Sequence, residues 1–259
     1  MKKIKWGLVL VSLCFALTGG QRFDQESQQN ITSSRTHHPK EELEVTEEIT
    51  LAEEHFNTIE TINGQNVILN PDNIMVFVNP DYSLPDAYQP DDLVIPNVRF
   101  SFDEDVDKRY LRKEAAIALE QLFIEAENNG YKLYAVSGYR SFQRQIELYQ
   151  NAINNYGPDQ SVSASPGQSE HQTGLAMDIS SANNGFALNE DFGLTEEGKW
   201  VAENAHRFGF IIRYPEGKET ITGFSYEPWH LRYVGSEVAE ILYKNHWTLE
   251  EYFDQVRPV

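Results

Sequence analysis

The sequence predicts an α+β fold, a single compact domain in which a small antiparallel sheet is flanked by helices, preceded by a disordered spacer. Three observations support this. Stretches with apolar residues at helical spacing are separated by short strand-like runs, without the regular alternation that a parallel βαβ sheet requires. Several of these stretches carry their own start and stop signals, hydroxyl caps and terminal glycines. A proline-dense segment precedes the first helix and suits extended chain and turns.

The elements follow in chain order. Order is expected to begin near Ile59, with short apolar runs such as Ile74 to Val78 interrupted by Pro71, Pro80, Pro85, Pro90 and Pro96. From Lys113 to Asn128, Ala116, Leu119, Leu122, Phe123 and Ala126 recur at helical spacing, and Gly130 stops the pattern. A strand over Leu133 to Val136 leads through Ser137-Gly138 to a helix from Phe142 to Asn154. After a Gly- and Ser-rich loop around Ser161 to Gln168, Leu175 to Ile179 is a strand. Thr195 caps a helix that runs to Phe208 and ends at Gly209. Phe210 to Tyr214 and Trp229 to Val234 are further strands, and Thr248 with Glu251 forms a capping box for a last helix.

Three regions result: residues 1–20, 21–57 and a folded domain over 58–259. In the first, Lys2, Lys3 and Lys5 precede an apolar run from Trp6 to Leu17, the pattern of an export signal or a membrane anchor. The run is short for a spanning helix. The second is crowded with Glu41, Glu42, Glu44, Glu47, Glu48, Glu53 and Glu54, too polar to offset its ordering entropy, and reads as an acidic spacer. Its His37-His38 pair is polar linker.

Composition narrows the chemistry. The only cysteine, Cys14, lies in the apolar run, so the folded part has no disulfide and no thiolate metal site. Any metal must be held by His, Asp or Glu. A net charge of -19 argues against a nucleic-acid partner, because phosphate binding needs clustered Lys and Arg.

Three segments set unusual polar residues beside glycine and aromatics: Ser137 to Ser141, Ser169 to Asp178, and Glu227-Pro228-Trp229-His230. A hydrolytic zinc site needs three nitrogen or oxygen ligands and an open fourth position, which His171, Asp178 and His230 can supply. A nearby carboxylate then takes the proton of the attacking water, and Glu227 is the natural candidate. Strand alternation puts Glu227 on the face opposite His230, so a local turn is required to bring it round. Glu170 competes, either as a catalytic carboxylate, as a support for a ligand or as a simple surface charge. His206 and His246 read as helix-terminal residues.

These motifs resemble the zinc D-alanyl-D-alanine carboxypeptidases of the bacterial wall, a family that includes vancomycin-resistance-type and LD-carboxypeptidase-type members. The resemblance runs from about Met75 to Val256 and rests on Ser169-Glu170-His171-Gln172-Thr173-Gly174 through Asp178, paired with Glu227-Pro228-Trp229-His230. It implies a hedgehog/DD-peptidase-like fold, zinc on His171, Asp178 and His230, and Glu227 as base. It implies also that Arg140 receives the substrate's terminal carboxylate or polarises its scissile carbonyl, with Ser137, Tyr139, Gln145 and Ser169 as substrate contacts. A planar guanidinium suits carboxylate recognition on independent grounds. Ser165, where relatives often carry Arg, and Pro80, in place of a frequent Lys, depart from the pattern.

The expected function is removal of the C-terminal D-alanine from peptidoglycan stem peptides, with the D-Ala-D-Ala bond favoured. The alternatives are cleavage of the fourth-position D-alanine from tetrapeptides, an endopeptidase with an open groove, and a wall-peptide binder without catalysis. The expected protein is exported, monomeric, and in membrane contact only through its N-terminal segment.

Overall fold

The computed structural model describes residues 48–160 and 162–259. The apolar N-terminal run, the His37-His38 pair and the spacer up to residue 47 lie outside the described residues. Among the described residues, no helix is long and apolar enough to cross a membrane.

The chain starts with strand β1 (Thr50–Leu51), followed by a hairpin of β2 (Ile59–Ile62) and β3 (Gln65–Ile68). Short strands β4 (Tyr82–Ser83), β5 (Leu93–Val94) and β6 (Leu111–Arg112) punctuate the proline-rich segment. Helix α1 (Lys113–Asn128), strand β7 (Leu133–Ser137), helix α2 (Phe142–Tyr156) and strand β8 (Ala176–Ser181) come next. Helix α3 (Glu196–Asn204), strand β9 (Phe210–Ile212), the one-turn helix α4 (Glu219–Thr222) and strand β10 (His230–Tyr233) follow. Helices α5 (Ser236–Asn245) and α6 (Leu249–Gln255) and strand β11 (Arg257–Pro258) close the chain.

The main sheet has four strands in the order β7-β8-β10-β9, with each neighbouring pair antiparallel. This is the small antiparallel sheet flanked by helices that the sequence predicts. The expected caps form, with Thr195 Oγ1 accepting from Gly198 N and Thr248 with Glu251 making the full capping box, and Ser141 Oγ adds a further cap by accepting from Arg144 N.

Two apolar clusters flank the sheet strands. The first joins Leu119, Leu122 and Phe123 of α1 to Leu133, Met177, Ile179, Phe210 and Leu231 from the four strands. The second gathers Met75, Val234, Val238, Leu242, Leu249 and Tyr252 under α5 and α6.

Three features depart from the sequence expectation. Residues 48–57, assigned to the spacer, join the fold: β1 pairs in parallel with β11, and Asn57 hydrogen-bonds through its side chain to both N and O of Phe77. Ile49, Leu51 and Phe56, interspersed among the glutamates, pack on the second cluster and anchor the stretch. The β2–β3 hairpin turns on Asn63-Gly64, both at positive φ, the pairing that a two-residue type I′ turn demands. The helix expected to run from Thr195 to Phe208 is α-helical only to Asn204 and finishes as a tighter 3-10 turn over Ala205–Phe208 before Gly209.

Helix α1 supplies a direct test of the core. Leu119 is fully buried and Ile117 on the same helix is half exposed. Leu119→Ala should lower unfolding free energy by roughly 2–5 kcal/mol, whereas Ile117→Ala should change it by less than about 1 kcal/mol. Denaturant melts of the two variants giving equal losses would contradict this packing.

Candidate active site

Strands β8 and β10 place Asp178 directly opposite His230 in their register. Facing residues of an antiparallel pair bring their side chains within reach of each other. Here the Asp178 carboxylate oxygen Oδ1 lies 2.9 Å from His230 Nδ1. His171 arrives from the other side, on a 3-10 turn over Glu170–Thr173. Its Nε2 lies 3.3 Å from Asp178 Oδ2.

Local chemistry builds that turn. Thr173 Oγ1 donates to Glu170 O and accepts from Leu175 N, and Gly174 ends the turn in the left-handed region with φ 66°. A side chain at Gly174 would also meet Leu93 and Arg112 at about 3 Å. Gln172 donates to the carbonyls of Pro85 and Tyr88, tying the proline-rich segment against the turn.

The two histidines are oriented by their second nitrogens. His171 Nδ1 lies 2.8 Å from Gly138 O, and His230 Nε2 lies 3.3 Å from Glu170 Oε2. Each acceptor holds a proton on that nitrogen, which leaves the nitrogen facing Asp178 as the one that can exchange its proton for a metal. His171, Asp178 and His230 each offer a ligand atom within 4.8 Å of the other two, and all three residues are buried. Two neutral imidazoles and one carboxylate form a donor set suited to a borderline divalent metal, with room for a fourth ligand from the cavity.

The electrostatics agree with that use. Burial pushes the Asp178 carboxyl up, but His171 and His230 outweigh it and hold the group well below the usual carboxylate range. Burial pulls His171 down, favouring the neutral ring. His230 is pulled down by burial but carried up to about 10 by its hydrogen bonds to Asp178 and Glu170. The carboxylates that favour a proton there would equally favour a metal dication in its place.

Glu227 reaches the triad through the turn that the sequence requires. Pro228 and Trp229 occupy its corner, His230 N donates to Glu227 O at 3.1 Å, and Glu227 N donates to Tyr214 O. Glu227 Oε2 then sits 4.0 Å from His230 Nδ1. Burial, with Asp178 and Glu170 adding to it and His230 opposing, pushes its carboxyl up to about 7. Glu170 takes no such position: both of its oxygens are engaged with buried donors.

Arg140, His171, Asp178, Glu227 and His230 line one cavity of about 230 Å³, with Ser169 on its wall. Arg140 follows a bulge in β7. Ala135 pairs with Ile179 but Ser137 pairs with Asp178, so the extra residue moves Ser137 to the position beside Asp178. The Arg140 guanidinium donates to Gln145 Oε1 at 3.0 Å and to Ser137 Oγ at 3.4 Å. Gln145 is buried and its amide nitrogen donates to Ser163 Oγ and Ala164 O, so it holds Arg140 and the 163–164 loop together. Tyr139 is buried and, with Ser137, lines a neighbouring cavity of about 600 Å³ that shares Arg140 with the site.

Tyr214 was not among the sequence candidates, yet its ring stacks on His230 at 5.1 Å. Arg213 and Arg232 were also missed. Strand alternation offered a signal for Arg232, two residues past His230 and on the same face; nothing local marked Arg213. His206 and His246 do sit at helix ends, in the 3-10 turn after α3 and at the C-cap of α5.

Residues 108–236 match the VanY family, D-alanyl-D-alanine carboxypeptidase. A putative carboxypeptidase of Bacillus subtilis, YodJ, is 51% identical over 88% of this chain and 84% of its own length. The chain belongs to the VanY family of D-alanyl-D-alanine carboxypeptidases. Among solved structures, the LdcB LD-carboxypeptidase is 54% identical, with a TM-score of 0.80 over 82% of this chain and all of that one. VanYB in complex with D-alanine-D-alanine is 33% identical, with a TM-score of 0.54 over 69% of this chain and 96% of that one. This VanY-family chain is thus a metallo-carboxypeptidase by kinship, and its own buried His-Asp-His group fits that class.

Gly138 links backbone to site. A Cβ there would meet Tyr110 O at 2.5 Å and Met177 Cε at 2.9 Å, so the carbonyl that orients His171 depends on glycine. Gly138→Ala should weaken metal binding by roughly 10–100-fold through its effect on His171, and His171→Ala should abolish it. Full metal occupancy in His171→Ala, measured by elemental analysis after dialysis, would show that the ligand set is misassigned.

Proposed function

We propose that this protein is a zinc carboxypeptidase that removes the C-terminal D-alanine from peptidoglycan stem peptides, acting outside the cell membrane. The observation that carries the proposal is the shared cavity: three metal-type donors, a carboxylate with raised affinity for a proton, and a half-buried guanidinium converge on one space. In this reading His171, Asp178 and His230 hold the zinc. A zinc ion there supplies a Lewis acid for the scissile carbonyl and makes a water more acidic.

The chain's own residues do the rest. Glu227 accepts the proton of the attacking water and returns it to the leaving D-alanine amine, a role suited to a carboxyl whose pKa lies near neutrality. Arg140, fixed by Gln145 and Ser137, offers its guanidinium to the terminal carboxylate or to the carbonyl oxygen as charge develops on it. Ser137, Tyr139 and Ser169 line the approach as substrate contacts. A domain that only bound wall peptides would have no use for Glu227 in this place.

Cleavage of the D-Ala-D-Ala bond is the first reading, in keeping with the family as a whole. Removal of the fourth-position D-alanine is the second, favoured by the 54% identity to an LD-carboxypeptidase across the whole of its solved chain. Export follows from the substrate's location and from the Lys2-Lys3 and Trp6 to Leu17 pattern.

Mass spectrometry of products from pentapeptide and tetrapeptide stems, with and without a chelator, decides among these. Loss of one alanine from the pentapeptide alone indicates the D,D bond, from the tetrapeptide alone the L,D bond, and chelator-insensitive cleavage removes the metal from the mechanism. Glu227→Gln should lower turnover by roughly 10²–10⁴-fold while zinc stays bound. Turnover equal to the parent's would exclude Glu227 as the base.

A further inference from the structure

We infer that Arg213, braced by Glu250 from helix α6, is a positioning residue for His230 and acts on it through Glu170. This rests on the assignment of His230 as a metal ligand and goes beyond it, to a residue that touches neither metal nor substrate.

Glu170 is buried, and its two oxygens divide their work. Oε2 receives His230 Nε2 at 3.3 Å, while Oε1 receives Arg213 Nε at 2.8 Å and Arg232 Nη1 at 2.9 Å. Arg213 then presents its remaining edge to Glu250, with Nη1 to Oε2 at 2.9 Å and Nη2 to Oε1 at 2.6 Å. Two carboxylates and two guanidiniums therefore balance in charge, and three of the four side chains are at most 1% exposed.

The two arginines differ in what else they hold. Arg232 donates to the carbonyls of Tyr233, Ile74 and Val76 and so ties backbone segments together. Every side-chain hydrogen bond of Arg213 goes to a carboxylate, Glu170 or Glu250. Its guanidinium also lies 4.9 Å from the centre of the Tyr214 ring, which stacks on His230. Arg213 thus backs both surfaces that fix the imidazole, the acceptor at Nε2 and the ring against its face.

Stability is a poor explanation for this arrangement. Buried ion pairs often do no better than apolar side chains of the same volume, because desolvation offsets the attraction. Orientation explains it better. With Arg213 gone, Glu170 keeps one donor on Oε1 and gains freedom to rotate, and His230 Nε2 loses a fixed acceptor. The supporting shell of a metal-binding histidine typically accounts for 10–100-fold in metal affinity.

The test uses the full chain and compares the parent with Arg213→Lys and Glu250→Gln. Lysine keeps the charge but cannot reach two carboxylates in one plane. Zn(II) affinity is measured by competition with a chromogenic chelator, well below each variant's melting temperature, alongside kcat and KM. Arg213→Lys should raise the zinc Kd roughly tenfold or more and Glu250→Gln by a smaller factor. KM should stay within about twofold of the parent and kcat should recover in excess zinc, as expected when loading is impaired and the loaded site is intact.

An Arg213→Lys protein with a lowered melting temperature but the parent's zinc Kd would make the network structural and overturn the inference. If Arg213→Lys does not fold, Glu250→Gln at the partly exposed end of the network decides alone, with an unchanged Kd counting against the proposal. A parent that binds no zinc would instead sink the ligand assignment, and this inference with it.

Discussion

The cross-strand pairing of Asp178 with His230 is the constraint on which the site depends. Side chains alternate between faces along a strand, so a slip of one residue between β8 and β10 would send one of the two to the opposite face. The register is secured by what lies around it. Met177 and Leu231 pair across the same strands and enter the core, while β7 and β9 flank the pair on either side. A buried carboxylate between two imidazoles is electrostatically demanding, and the rigid sheet supplies the fixed geometry that makes it tolerable.

Around that pair, each remaining element of the site is delivered by an interruption of regular structure. His171 comes on a 3-10 turn closed by Gly174, Ser137 and Arg140 follow a bulge in β7, and Glu227 sits at the entry of the Pro228-Trp229 turn. The strands fix the two residues whose separation must not vary. The turns aim the groups that must approach from other directions, a division of labour common in sites built on sheets.

The acidity of the chain takes on a more specific meaning in this light. The site holds three carboxyl groups in different surroundings: Asp178 lies between the two imidazoles, Glu227 lines the cavity, and Glu170 meets His230 and two buried guanidiniums. Glu170 is the nearest carboxylate in sequence to His171, yet its contacts make it a support for His230. Sequence proximity left its role open because the partners that settle it lie 43, 60 and 62 residues away.

What the sequence determined by itself was local or repetitive. The apolar spacing of α1, the Thr195 and Thr248 caps and the glycine stops are written in adjacent residues, and the structure reproduces them. The metal-type residues were legible because His171, Asp178 and His230 sit in compact motifs shared with a known family, and the need for a turn at Glu227 followed from strand geometry and Pro228. The Asn63-Gly64 hairpin was equally legible and was missed. Only the tertiary structure decided the rest. Residues 48–57 become ordered because the far C-terminus offers them a strand and an apolar bed; Gln145 turns inward to hold Arg140; and Arg213 joins Glu170 to Glu250 across three separate elements. These are relations between residues far apart in the chain, with energies set by desolvation and by the partner's position, and neither quantity exists until the chain has folded.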